Sequence, residues 1–194
     1  MAMIGLRTSI FAPITAENAN AMPTYGKAVT GHERLTSMKL SWEKNDAKLY
    51  ADDMVAEADN SVSGGEIEMG MDDLSEAFEI AALGVYKGES TQYVEDTDDI
   101  GQAGGYGYVQ VKVYKGVRKY IGNWFYKVLF GKSDEEGKTK ADSIEFATPT
   151  VTGTVMGVFN DATGKAKFRR RQEFATYAEA LNFIRALAGI EVVP

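Results

Sequence analysis

Cysteine is absent from this chain. That excludes disulfide frameworks, thiolate-bound zinc and thiol nucleophiles. Histidine occurs once, as His32 beside Gly31 in a turn-like segment. A Ser-His-Asp triad or a histidine-bound zinc ion would have to use it, and no partner stands at a recognisable spacing, so it is expected at the surface. There is no run of about 18 apolar residues, hence no helical membrane span. The opening stretch MAMIGLRTSIFAPIT has a short apolar part broken by Pro13 and is expected to be mature sequence, an arm or a first strand, rather than a secretory signal. No fixed-period repeat is present, and no βαβ alternation.

Positive charge is missing from one place. Leu49 to Asp73 holds eight carboxylates (Asp52, Asp53, Glu57, Asp59, Glu66, Glu68, Asp72 and Asp73) and no Lys, Arg or His. The deficit extends further. Residues 49–111 carry fifteen acids and one base, Lys87, whereas the rest of the chain carries thirteen acids and twenty bases. The net charge of −7 therefore divides into −14 and +7. An overall negative charge argues against a protein that binds nucleic acid by neutralising phosphates. The split suits a self-complementary surface, with the acidic face of one copy attracting the basic face of the next.

What is present supports a folded domain. With 194 residues, 44% hydrophobic and 11% aromatic, the chain has the size of one domain over 1–194 and enough apolar material for a core. Residues 1–31 have little periodicity and several turn signals, and read as an extended N-terminal arm. Met38, Leu40 and Trp42 alternate with Ser37, Lys39 and Ser41, a strand pattern. Leu49 to Ala58 continues as a strand or loop edge. After the Gly64-Gly65 loop, Ile67, Met69 and Met71 face one side and Glu66, Glu68 and Gly70 the other. A helix of about ten residues is expected next, with Asp73 and Glu76 at capping-box spacing and Gly84 at its end. Residues 88–107 read as a mobile loop, rich in glycine between Gly101 and Gly107 and lacking the Lys-Ser/Thr of a phosphate loop.

Two strands joined at Lys115-Gly116 follow. The second, Arg118 to Phe130, is apolar on both faces, as in a central strand or one covered by a neighbouring subunit. Shorter strands are expected at 143–147 and 151–159, and a hairpin partner at 166–174. A final helix spans 176–189, with Thr176 and Glu179 as a capping box and Leu181, Ile184, Leu187 and Ala188 as its apolar stripe. Strands, helix, strands, helix is the order of a mainly β protein with some α: an antiparallel β-sandwich or split barrel with a packed helix.

No constellation carries chemistry. Asp52-Asp53 and Asp72-Asp73 meeting across a hairpin would offer oxygen ligands to a hard cation, but adjacent strand residues point to opposite faces. Glu95, Asp96, Asp98 and Asp99 lack the glycine and glutamate positions of a calcium loop. Arg169, Arg170 and Arg171 on a strand would place the middle residue away from the other two. No carboxylate pair or nucleophile–base pair stands out, so no enzyme, metal or cofactor is expected. A soluble carbohydrate-binding sandwich with Tyr120, Trp124 and Tyr126 as a stacking platform is the alternative reading.

An ordered set of segments spans nearly the whole chain: Ile4-Gly5-Leu6-Arg7, Ala12-Pro13-Ile14-Thr15, Leu49-Tyr50-Ala51-Asp52-Asp53 and the alternating strand into Asp72-Asp73-Leu74. Leu83-Gly84, the Tyr106 to Phe130 strand pair, Lys138-Thr139-Lys140 before Ile144-Glu145-Phe146, and the last helix complete it. In this set the chain resembles the major tail proteins of long-tailed, non-contractile bacteriophages. The resemblance implies a sandwich or split barrel flanked by a helix. It implies hexameric rings stacked into a virion tail tube, assembled in the host cytoplasm, with inner strands of all copies lining a passage for duplex DNA. A long loop and terminal arms would link rings, and a tape-measure protein and tail terminator and initiator proteins would be partners. A tube protein of a contractile or secretion apparatus would share this fold.

Physics is consistent with such a tube. Joining sheets across copies removes exposed edges, and an acidic lumen repels DNA so that it slides without binding. Glu66 and Glu68 are the lumen candidates. For ring-to-ring contacts the acids are Asp59, Glu95, Asp96, Asp98 and Asp99. The bases are Lys112, Lys115, Arg118, Lys119, Arg169, Arg170 and Arg171.

Overall fold

The computed structural model describes residues 2–18, 21–30, 34–51, 54–87, 93–94, 97, 99–132, 148–160 and 164–191. In chain order its strands begin with β1 (Ala2–Ala16), β2 (Thr24–Tyr25), β3 (Val29–Thr30) and β4 (Leu35–Lys44). Next come β5 (Ala47–Ala51), β6 (Met54–Asp59) and β7 (Val62–Met71). A short helix α1 (Glu76–Phe78) runs into a π-helical turn, Glu79–Leu83. Then follow β8 (Tyr86–Lys87), β9 (Tyr93–Val94), β10 (Gly104–Tyr114) and β11 (Val117–Phe130). The last strands are β12 (Thr150–Val155), β13 (Val158–Asn160), β14 (Lys165–Lys167) and β15 (Arg169–Phe174), and helix α2 (Tyr177–Leu187) closes the chain.

Antiparallel pairing joins nine strands in one sheet, in the order β2-β1-β10-β11-β12-β7-β4, with β3 on β1 and β15 on β11. The long β11 explains this shape. One of its edges pairs with β10 throughout. The other pairs with β15 over Tyr120–Phe125 and with β12 over Val128–Phe130. Between these partners the β10 register slips by one residue. Such a bulge reverses side-chain parity and bends the strand. Phe125 faces the main core before the slip, and Val128 and Phe130 face it afterwards. The apolar run on both faces of β11 is thus a central strand, and its second face is covered by α2 of the same chain rather than by a neighbouring copy.

Two cores result. The first lies between β1-β10-β11 and β12-β7-β4, with Phe11, Tyr106, Tyr108 and Phe125 against Ile67, Met69, Val151 and Val155. Phe78, Ala82 and Leu83 plug it. The second lies under α2, where Ile10, Ala12, Val109 and Trp124 meet Ala180, Ile184 and Ala188. This is a mainly β fold with α, antiparallel, with a C-terminal helix. The Thr176–Glu179 capping box forms in both directions.

Several expectations need correction. The N-terminal segment is not an arm over its first half: β1 pairs with β10 from Ala2 to Pro13, and Ser9 to Ala12 are buried. A bulge at Thr8, whose φ is +49°, shifts β1 by one residue, so Leu6 and Phe11 both face the first core despite their odd spacing. Ser75, not Asp73, caps the first helix, which is shorter than expected and widens into the π turn; the Asp73 carboxylate accepts from Leu74 N–H instead. Gly84 does end it, in the left-handed region at φ +76°.

The expected 88–107 loop ends in strand, because Gly104 to Gly107 open β10 in full burial. Its glycines serve packing. A Cβ at Gly105 would stand 2.2 Å from the Trp124 ring, and one at Gly101 2.1 Å from the Ala82 carbonyl oxygen. The expected 151–159 strand divides into β12 and β13, and its partner into β14 and β15, which pairs with β11. The expected strand at 143–147 lies outside the described residues, as do His32, Asp52, Asp53, Glu95, Asp96 and Asp98.

Candidate functional site

The acidic stretch does not fold as one hairpin. β7 returns along β4, from Leu35 opposite Met71 to Lys44 opposite Val62. Beyond that pair, Asn45 N–H donates to the Ser61 carbonyl (2.8 Å) and its side-chain amide to Ser61 Oγ (2.9 Å). β5 and β6 then pair with each other, Ala47 opposite Asp59 and Leu49 opposite Glu57. The result is a two-stranded ribbon extending past the end of the sheet. Every ribbon side chain described is exposed, Leu49 to 60% and Met54 to 70%. Asp59 accepts from Ser61 N–H (2.8 Å) and Ser61 Oγ (3.1 Å), which shapes the turn back into β7.

The outer face of β4-β7-β12 is polar. Its cross-strand rows are Ser41–Glu66–Thr154 and Lys39–Glu68–Thr152. Lys39 Nζ lies 3.4 Å from Glu68 Oε2, an exposed pair worth about 0–1 kcal/mol. Glu43 stands two residues beyond Ser41 on the same face, also exposed. Three carboxylates against one ammonium leave this face acidic. Small hydroxyl residues around them keep it smooth.

Basic residues gather at the β10–β11 turn. Lys115 (φ +49°) and Gly116 (φ +80°) form a two-residue turn between Tyr114 and Val117, as hairpins with right-handed twist require. Lys112 and Lys119, opposite each other, both reach Glu173 of β15, at 2.9 and 2.6 Å. Hydrogen bonds from Lys119 and then Lys112 hold the Glu173 carboxyl down at about 2. Arg118 is exposed beside them, and Lys115 lies 5.5 Å from the Tyr114 ring.

The three arginines separate as strand geometry requires. Arg170 turns to the helix side, 5.5 Å from the Phe183 ring. Arg169 turns inward, between the Trp42 and Phe125 rings at 5.7 and 5.6 Å. Burial lowers the Arg169 pKa, and the Tyr108 hydroxyl, itself pushed up to about 12 by burial, bonds to it. Arg171 faces the same side as Arg169. Between them and the base of the ribbon lies a cavity of about 450 Å³, lined by Trp42, Val62, Ala166, Lys167, Phe168, Arg169 and Arg171. Composition alone did not reveal this cleft, since Trp42 read as one face of an alternating strand and Phe168 as part of a hairpin strand.

Other candidate residues stay apart from it. Asp99 lies 3.7 Å from Lys132. Asp72 pairs with Arg34 at 2.9 Å. Among the described residues no three acid or histidine side chains converge as a metal site, and no helix is long and apolar enough to cross a membrane. The proposed sugar platform does not exist as a surface: Trp124 is fully buried, Tyr25 stands edge-on to it at 5.4 Å, and Tyr120 packs on Tyr177 at 6.0 Å.

No protein-family model matches the chain, and no curated protein matches it. Among solved structures, a chain of the six-fold symmetrised cryo-EM structure of the anti-feeding prophage baseplate is similar at a TM-score of 0.40 and 9% identity. The match covers 89% of this chain and 96% of that one. A likeness of that degree fixes neither fold nor function.

Proposed function

We propose that this chain is a structural protein of a phage-type tail, which assembles with copies of itself into stacked hexameric rings and forms the tube through which DNA leaves the virion. The observation that carries the reading is the polar, acid-bearing outer face of β4-β7-β12 next to the exposed β5–β6 ribbon. The first is a surface that duplex DNA would slide past, because phosphates and carboxylates repel. The second is a two-stranded element whose described side chains are all exposed, and such ribbons are marginal in water. The outer edge of β4, which no strand pairs with among the described residues, is a third feature, since open edges in a soluble monomer invite pairing.

In this reading the ribbon reaches the next ring and the β4 edge joins a neighbour within the ring. The partners are further copies, with a tape-measure protein and tail terminator and initiator proteins at the ends. No catalytic role is assigned. Replacing Glu66 and Glu68 by Lys tests the lumen assignment: tubes form as in the unaltered chain and DNA passage slows. Loss of tubes would show that this face is an interface instead.

A further inference from the structure

The cleft beside β15 is short of negative charge. Arg169, Arg171 and Lys167 line it together with Trp42 and Phe168, and among the described residues no carboxylate does. None of the three cations makes an ion pair among the described residues; the acid nearest along β15, Glu173, is committed to Lys112 and Lys119. A second cavity, about 410 Å³, shares Arg171 and is lined also by Met3, Lys112, Ile121, Gln172 and Glu173. Grouped guanidinium and ammonium ions repel one another, and half-buried aromatic walls left partly in water add to the cost. The chain's own ribbon starts just beyond Val62 and contributes no described residue to the lining.

The ribbon has the matching chemistry. Residues 46–59 hold five acids and one base. Ala47, Leu49, Glu57 and Asp59 share one ribbon face, by their pairing register. That face offers two carboxylates beside an exposed leucine, against two arginines and a lysine beside half-buried aromatic walls.

We infer that the Trp42–Phe168–Arg171 cleft is the receptor for the β5–β6 ribbon of a second copy of this chain. The inference rests on the assembly reading above and assigns its contact. Glu57 and Asp59 meet Arg171 and Lys167 through charge-assisted hydrogen bonds, and Leu49 covers Trp42 and Phe168. Arg169, fixed between two rings, supplies charge without moving.

Sedimentation of the full chain tests this. Arg171→Glu and Glu57→Lys each weaken self-association about tenfold, a scale set by reversing one partner of an interfacial charge pair. Mixing the two variants restores association through the exchanged pair. Because the chain has no cysteine, a mixture of Ala47→Cys and Ala166→Cys chains leaves all charges intact, and a short bismaleimide links one to the other. Variants that associate like the unaltered chain, or a mixture that recovers nothing, overturn the inference. Rings that persist in Arg171→Glu overturn it while leaving the assembly reading in place; an unaltered chain that stays monomeric overturns both. Oligonucleotide binding lost in Arg171→Glu with self-association unchanged would make the cleft a nucleic-acid site and overturn it too.

Discussion

The Arg169 guanidinium lies 5.7 Å from the Trp42 ring and 5.6 Å from the Phe125 ring. One side chain thus ties β4 to β11 and β15, across the mouth of the first core. Arg169→Ala removes both stacking contacts and leaves the Tyr108 hydroxyl without that partner. The expected cost is about 1–3 kcal/mol. Arg169→Lys recovers little of it, because an ammonium lacks the planar surface. Urea unfolding followed by tryptophan fluorescence measures both.

Glu173 gives the fold an acid-sensitive contact. Its carboxyl titrates near 2 when bound to Lys119 and Lys112, below its ordinary value of 4.5. A depressed pKa contributes stability that is fully present above the unfolded value and lost as pH falls through the folded one. The contribution therefore disappears between about pH 4.5 and pH 2. Glu173→Gln removes this component, so its melting temperature falls less steeply across that window than that of the unaltered chain.

Thr8 holds φ at +49°, a region that β-branched residues avoid. Its hydroxyl bonds to that of Tyr177 at the start of α2. Thr8→Val and Tyr177→Phe each cost about 1 kcal/mol by losing that bond. The double variant costs less than the sum, since both remove the same interaction. A thermal or urea double-mutant cycle reads the coupling.

Gly105 and Trp124 are mutually required. A Cβ at 105 collides with the buried indole, so Gly105→Ala displaces Trp124 and costs about 1–3 kcal/mol through overpacking. Trp124→Ala opens a cavity under α2 and costs about 3–5 kcal/mol. Near-ultraviolet circular dichroism reports the displaced ring in the first case.

Where local rules acted alone, the sequence was readable. Ile67, Met69 and Met71 against Glu66 and Glu68 gave the two faces of β7. Thr176 with Glu179 gave the start of α2, and Lys115-Gly116 gave the β10–β11 turn. Tertiary demands hid the rest. The Thr8 bulge breaks the alternation of β1, so a buried strand looked like an arm. Gly104 to Gly107 have loop composition, yet Gly104, Gly105 and Gly107 are glycines because Phe11 and Trp124 occupy the space. Residues 49–73 looked like one hairpin, but β6 pairs back on β5 while β7 pairs with β4. Periodicity does not encode which partner a strand takes. The cationic cleft was invisible for the same reason: Trp42 comes from β4, Arg171 from β15 and Phe168 from the link between β14 and β15.

Negative-stain electron microscopy of the purified full chain tests the central claim most directly. Self-assembly into a tube predicts rings with six-fold symmetry in end views and stacked rings in side views. A field of dispersed single copies, at concentrations where the ribbon would find its receptor, would contradict it.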